Sequence, residues 1–132
     1  MQYTCDFSRL FGTVVEVVET VQPPLATANP ERGLVVSEFR WHEPSGMRKK
    51  EGAIVVERGD LGFLVHVALI KQEAGYTIEA VPHVYEQQVG SPRGRELSHD
   101  DADWPGWADG KADRVLAAIH ERLESCASAP AG

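Results

Sequence analysis

The chain is predicted to fold as α+β: a two-layer sandwich with a mainly antiparallel sheet of four or five strands, an N-terminal strand–helix unit and a C-terminal helix. Three observations predict this. Residues 48–86 read as consecutive strands at 53–57, 63–71 and 76–85, parted by short Gly- and charge-rich turns at 58–62 and 72–75. Phe7, Leu10, Phe11, Val14, Val17, Val18 and Val21 recur at spacings of three and four, one apolar face of a helix. Ala112, Val115, Leu116, Ile119 and Leu123 form a second such stripe near the C-terminus.

Taken in order, residues 2–5 make a short strand, and Asp6 follows at a helix N-cap position. Its carboxylate is suited to accept from the free amides of the first turn. The helix spans 6–21 and places Arg9, Thr13, Glu16 and Thr20 on its polar side. The four valines of its apolar face are stiff at χ1 and lower helix propensity, so a strand at 13–18 competes; the length of the stripe favours the helix. Pro23-Pro24 stops it. Asn29-Pro30-Glu31-Arg32-Gly33 reads as a turn, with Pro presetting φ and Gly free to take a positive one. A strand follows at 34–41, then a polar loop at 42–52 containing Pro44-Ser45-Gly46.

Within the meander, Phe63, Val65, Val67 and Leu69 share one face, and Tyr76, Ile78 and Ala80 pair with it. The opposite face carries Leu64, His66, Ala68 and Ile70, which is too apolar for open water. Pro82 cannot donate to a ladder, so its strand is an edge or is bulged there. Residues 87–106 are aperiodic and hold Gly90, Pro92, Gly94 and Pro105: a long loop, the kind that is usually functional or mobile. The last helix spans 109–125 and packs beside the first or over the second sheet face. Domain organisation is thus one unit over 1–126, with the 87–106 loop inside it and a fraying tail at 127–132.

A chain of 132 residues, 42% of them apolar, suffices to close one core. The formal net charge of −7 argues against phosphate backbones, and the basic runs (Arg48-Lys49-Lys50, and Arg93 with Arg95) are short and flanked by Glu51 and Glu96. No nucleic-acid partner is expected. Nothing approaches the length of a membrane helix. The first residues lack the charged and apolar regions of a signal peptide, and Met-Gln-Tyr-Thr-Cys is not a lipidation box. The location therefore reads as cytoplasmic, or as the cell envelope if an export segment belongs ahead of Met1. Cys5 and Cys126 are read as two buried thiols in preference to a bridge, since sequence alone does not bring them within bonding distance.

No arrangement of residues demands a reaction, and no catalytic residue, cofactor or metal is assigned. The run His99-Asp100-Asp101-Ala102-Asp103 lacks the Gly and terminal Glu of a calcium loop, and reads as a solvated turn before a helix. The five histidines form no H-x-x-x-H pair. His66 and His83 are the pairing worth keeping, on neighbouring strands of the second face. Ser45 and Ser91 sit in ordinary turns, and Gly90-Ser91-Pro92-Arg93-Gly94-Arg95 lacks the Lys-Ser/Thr end of a phosphate loop. Trp104 and Trp107 before the last helix read as staples of the loop onto the core, with a partner anchor as the functional alternative.

The pieces "DFSRLFGTVVEVVE", "NPERGLVVSEF" and "GAIVVERGDLGFLVHVALIKQ" give an aromatic-led helix, an Asn-Pro-x-x-Gly turn and a strand opening on Gly and apolar residues. Over residues 2–86 this resembles small bacterial cell-envelope lipoprotein domains, including the repeated module of the accessory lipoprotein of the outer-membrane protein assembly machine. The resemblance implies an envelope binding or scaffolding domain and brings no catalytic residues with it. The expected function is therefore a non-enzymatic protein-interaction domain with a protein partner. Its candidate binding surface is Leu64, His66, Ala68, Ile70, His83, Trp104 and Trp107. Two alternatives stand beside it: a small-ligand-binding or hydrolytic domain using His66, His83 or Tyr85 in a helix–sheet pocket, and an acidic, cytosolic, chaperone-like homodimer.

Overall fold

The computed structural model describes residues 2–42, 49–50, 53–54, 61–86, 94–102 and 104–128. The expected strand residues 55–57, the turn at 58–60, the Pro44-Ser45-Gly46 segment, Ser91 with the rest of 90–93, Asp103 and the tail at 129–132 lie outside the described residues.

Two helices pack side by side on one face of a mostly antiparallel sheet, giving an α+β fold. The elements run β1 (Gln2–Tyr3), α1 (Phe7–Val21), β2 (Leu25–Asn29), β3 (Leu34–Ser37), β4 (Arg40–His42), β5 (Lys49–Lys50), β6 (Ala53–Ile54), β7 (Leu61–Lys71), β8 (Tyr76–Glu86), β9 (Arg95–Glu96), α2 (Gly106–Leu123) and β10 (Ala127–Ser128). The main sheet is ordered β10-β1-β8-β7-β3-β2, with β4 also on β7 and β9 also on β8. Several two-residue strands raise its count above the four or five expected.

The frame is the β7–β8 hairpin, in unbroken register from Leu61↔Glu86 to Lys71↔Tyr76. Side chains alternate across a strand, so Phe63, Val65, Val67 and Leu69 all face the helices. They are buried there with Leu10, Val14, Val17 and Val18 of α1 and Ala112, Val115, Ile119 and Leu123 of α2. The apolar stripes of both helices thus meet one sheet face, and α2 lies beside α1. Arg122 of α2 is ion-paired with Glu16 of α1 across their outer surface.

Several sequence expectations are corrected. Asp6 does stand at the N-cap of α1, but its side chain makes no capping bond; its carbonyl accepts the Leu10 amide at 3.0 Å. The strand expected at 34–41 is two strands. β3 follows β7 through Val36↔His66 and β4 resumes at Arg40↔Phe63, so three residues of one strand oppose two of the other, a bulge. An edge strand, β2, was not expected between the Pro23-Pro24 stop and the Asn29–Gly33 turn; its middle residues are exposed and carry no apolar alternation. Ala53–Ile54 pairs with Lys49–Lys50 in a separate two-stranded sheet and not with the hairpin.

Pro82 is accommodated without a bulge, opposite Val65 in continuous register. Gly33 takes φ +62 in the turn before β3, where a Cβ would lie 2.8 Å from the Leu69 carbonyl oxygen. Residues 127–128 do not fray: they pair with β1 as Gln2↔Ser128 and Tyr3↔Ala127. Cys5 and Cys126 are joined as a disulfide, with Cα atoms 5.4 Å apart, and not left as separate thiols. The β1–β10 pairing supplies the proximity that the sequence does not display. No helix among the described residues is long and apolar enough to cross a membrane.

Candidate interaction face

The sheet face turned away from the helices is built by the even residues of β7 and the odd residues of β8. Leu64, His66, Ala68 and Ile70 lie on it beside Thr77, Glu79, Val81 and His83, with Leu34 and Val36 of β3 at the far side. Leu64 is buried, at 3% exposure, while Val36, Ala68 and Ile70 are half-buried. Val81 is 44% exposed on this face. At the Leu61 end the Phe39 ring, carried by the bulge, lies over Gly62 and meets Tyr85 edge-on at 5.4 Å.

His66 and His83 sit diagonally across the hairpin, opposite Val81 and Leu64 respectively, with ring centroids 4.3 Å apart. His83 Nδ1 lies 2.8 Å from Glu96 Oε2, a carboxylate that β9 brings to the strand end. Burial holds the His66 imidazole below its ordinary pKa, and the neighbouring His83 adds to this, against the opposing pull of Glu96. The pair lies on the face opposite both helices, so the helix–sheet pocket required by the hydrolytic alternative does not contain it. Tyr85 is on the same outer face.

Trp104 and Trp107 are elsewhere. Trp107 packs edge-on against Phe63, 5.6 Å between centroids, on the helix side of the sheet, with Lys111 Nζ 5.9 Å from both ring centres. Trp104 donates its indole N–H to Asp109 Oδ2 at 3.2 Å and stacks near His99, whose Nε2 is 3.1 Å from Asp109 Oδ1. Both tryptophans pack against the core. Of the seven residues expected to share a surface, the structure brings together Leu64, His66, Ala68, Ile70 and His83, and separates the two tryptophans from them.

Residues 99–102 of the acidic run form a turn. Asp101 Oδ2 accepts the Ser98 amide at 2.8 Å, and Arg95 stands 3.8 Å from the same carboxylate. Among the described residues no group of three His, Cys, Asp or Glu is placed to hold a metal ion. Glu79 and Val81, which sequence reasoning did not single out, belong to the face by register alone. The signal that finds them is the pairing of β8 with β7, residue by residue.

On the helix side, a groove of about 560 Å³ opens between α2 and the outer edge of β8, lined by Tyr3, Thr77, Ile78, Leu116, Ala117 and His120. Within this lining the Tyr3 hydroxyl is 2.9 Å from His120 Nδ1. Burial raises the Tyr3 pKa, keeping the phenol protonated. No protein-family model and no curated protein matches the chain.

Proposed function

We propose that this chain is a non-enzymatic protein-interaction or scaffolding domain of the bacterial cell envelope, and that the β7–β8 face opposite the helices contacts its partner. The observation that carries this is Val81, 44% exposed in a surround of half-buried Val36, Ala68 and Ile70. Apolar surface held in a rigid sheet gains free energy when a partner removes it from water, on the order of 25 cal/mol for each Å². The His66–His83–Glu96 chain gives that apolar surface a polar border, as protein-binding patches commonly have. The Cys5–Cys126 disulfide supports an oxidising compartment, consistent with the envelope.

The test places a photo-crosslinking amino acid at Val81 in producing cells, with the exposed Glu19 of α1 as the control position. One recurring adduct from position 81, absent from position 19, is expected. No adduct at 81, or the same adducts from both positions, overturns the reading.

A further inference from the structure

The outer edge of β8 carries the strongest unassigned feature. Val65 donates its amide to Ser37 Oγ, and Leu69 donates to the Gly33 carbonyl, so odd residues of β7 turn their main chain toward β3. Even residues therefore bond to Thr77, Glu79, Val81 and His83 of β8, and the residues between these point their main-chain groups to the opposite edge. At one end of that edge Tyr76 is paired with Tyr3. At the other, the Val84 carbonyl accepts the Leu97 amide at 2.8 Å. Between them, the amides of Ile78 and Ala80 and the carbonyls of Ile78, Ala80 and Pro82 have no main-chain partner among the described residues.

We propose that a short, extended, basic segment of a partner protein adds as a further strand along Ile78–Pro82, seating an apolar side chain in the groove beneath α2. The inference rests on the interaction reading above and names the partner's chemistry. Main-chain groups of fixed spacing are satisfied only by another extended main chain, the physical basis of strand addition. The gap is about five residues, or roughly 17 Å, and is closed at both ends by Tyr3 and Leu97. Pairing with the β8 of a second copy is excluded sterically, because that eleven-residue strand brings its own β1 and β9 into the occupied ends.

Charge selects the segment. Asp113 falls on the α2 face that carries Ala117 and His120, and Glu124, the residue just past the helix, continues that face at spacings of four, three and four. Glu79 is exposed on the other side of the same edge. None of these three carboxylates has an ion-pair partner among the described residues. Of the cations of α2, Arg122 is paired with Glu16 and Lys111 lies over the Phe63 and Trp107 rings, while exposed Arg114 follows Asp113 in sequence and so stands about 100° round the helix from it. Apolar residues turned to Leu116 and Ala117 of the groove, alternating with Lys or Arg facing Glu79, fit both sides of the added strand, and Asp113 and Glu124 add to the negative field around it.

The probe is a labelled synthetic peptide of alternating Leu and Lys, read by fluorescence anisotropy and by amide hydrogen exchange. In the free protein the Ile78 and Ala80 amides should exchange fast while those of Glu79 and Val81 are protected. The peptide should slow Ile78 and Ala80 selectively. N-methylation of alternate peptide amides, which removes the donors that face β8, should weaken binding about tenfold or more. Ala117→Arg, at an exposed position, should weaken it with Tm unchanged, and a Leu–Glu peptide should not bind. Equal binding of the N-methylated peptide, or no binding of the Leu–Lys peptide at millimolar concentration, overturns strand addition. Crosslinking from Val81 is read independently, so the failure of one proposal is distinguishable from failure of the other.

Discussion

The Ser37 hydroxyl accepts the Val65 amide at 2.9 Å, at the point where β3 leaves β7. In a regular ladder a main-chain carbonyl would occupy that position; across the bulge a side-chain oxygen does. Both residues are fully buried or nearly so, Ser37 at 1% and Val65 at 0% exposure. Ser37→Ala leaves a buried N–H without a partner and should cost about 1–3 kcal/mol in urea unfolding. A loss within error of zero would mean that water replaces the hydroxyl.

The Cys5–Cys126 bridge spans a sequence separation of 121. Closing so long a loop restricts the unfolded chain strongly. Reduction, or the pair Cys5→Ala and Cys126→Ala, should lower stability by about 2–5 kcal/mol. Thermal unfolding with and without reductant measures this, and mass spectrometry after alkylation confirms the bond. Identical Tm values in both conditions contradict the prediction.

Gly62 and Gly75 are both crowded, but by different atoms. A Cβ on Gly62 would meet the Phe39 ring at 2.2 and 2.4 Å, and that ring can swing aside. On Gly75 it would meet the Tyr3 carbonyl oxygen at 2.4 Å, which moves only if β1 moves. Gly75→Ala should therefore destabilise more than Gly62→Ala, by about 1–3 kcal/mol. Phe39→Ala should recover part of the Gly62→Ala loss and none of the Gly75→Ala loss, as measured in a double-mutant cycle.

His66 titrates below its ordinary value because burial and His83 oppose its protonation more than Glu96 favours it. The folded pKa being depressed, the unfolded chain binds the proton first. Above the ordinary histidine value of about 6.5 both states are neutral and no stability is lost. As pH falls through that value stability drops, and it levels off below the folded-state pKa. Tm measured at about pH 7.5 and about pH 5.5 should fall more for the native protein than for His66→Gln. Equal falls in the two proteins would place the titration elsewhere.

Where burial is periodic, the fold was legible. The stripe from Phe7 to Val21 became α1, and the alternation at Phe63–Leu69 marked the helix-facing side of β7. The diagonal His66–His83 pair follows from hairpin register, which two short turns already imply. β2 was invisible because exposed Ala26, Thr27 and Ala28 at a sheet edge have no burial to record. The side on which Trp104 and Trp107 pack depends on where α2 docks, a relation between elements far apart in the chain. The same holds for the disulfide: Cys5 and Cys126 meet only because β1 and β10 pair. The stretch of β8 edge that no described residue pairs with is likewise set by where its neighbours stop. Only Pro82 hinted at it, since proline avoids the middle of a fully bonded sheet.

The pairing of β1 with β10 and the covalent link just inside it have a mechanical consequence. A pull applied at residues 2 and 128 first meets the short ladder Gln2↔Ser128 and Tyr3↔Ala127, then the Cys5–Cys126 bond. Along the covalent chain, force crosses that bond and bypasses the helices and the hairpin until it breaks. A body anchored at both ends would keep its β7–β8 face in shape under tension, behaving as a knot on a string and not as a link in a chain.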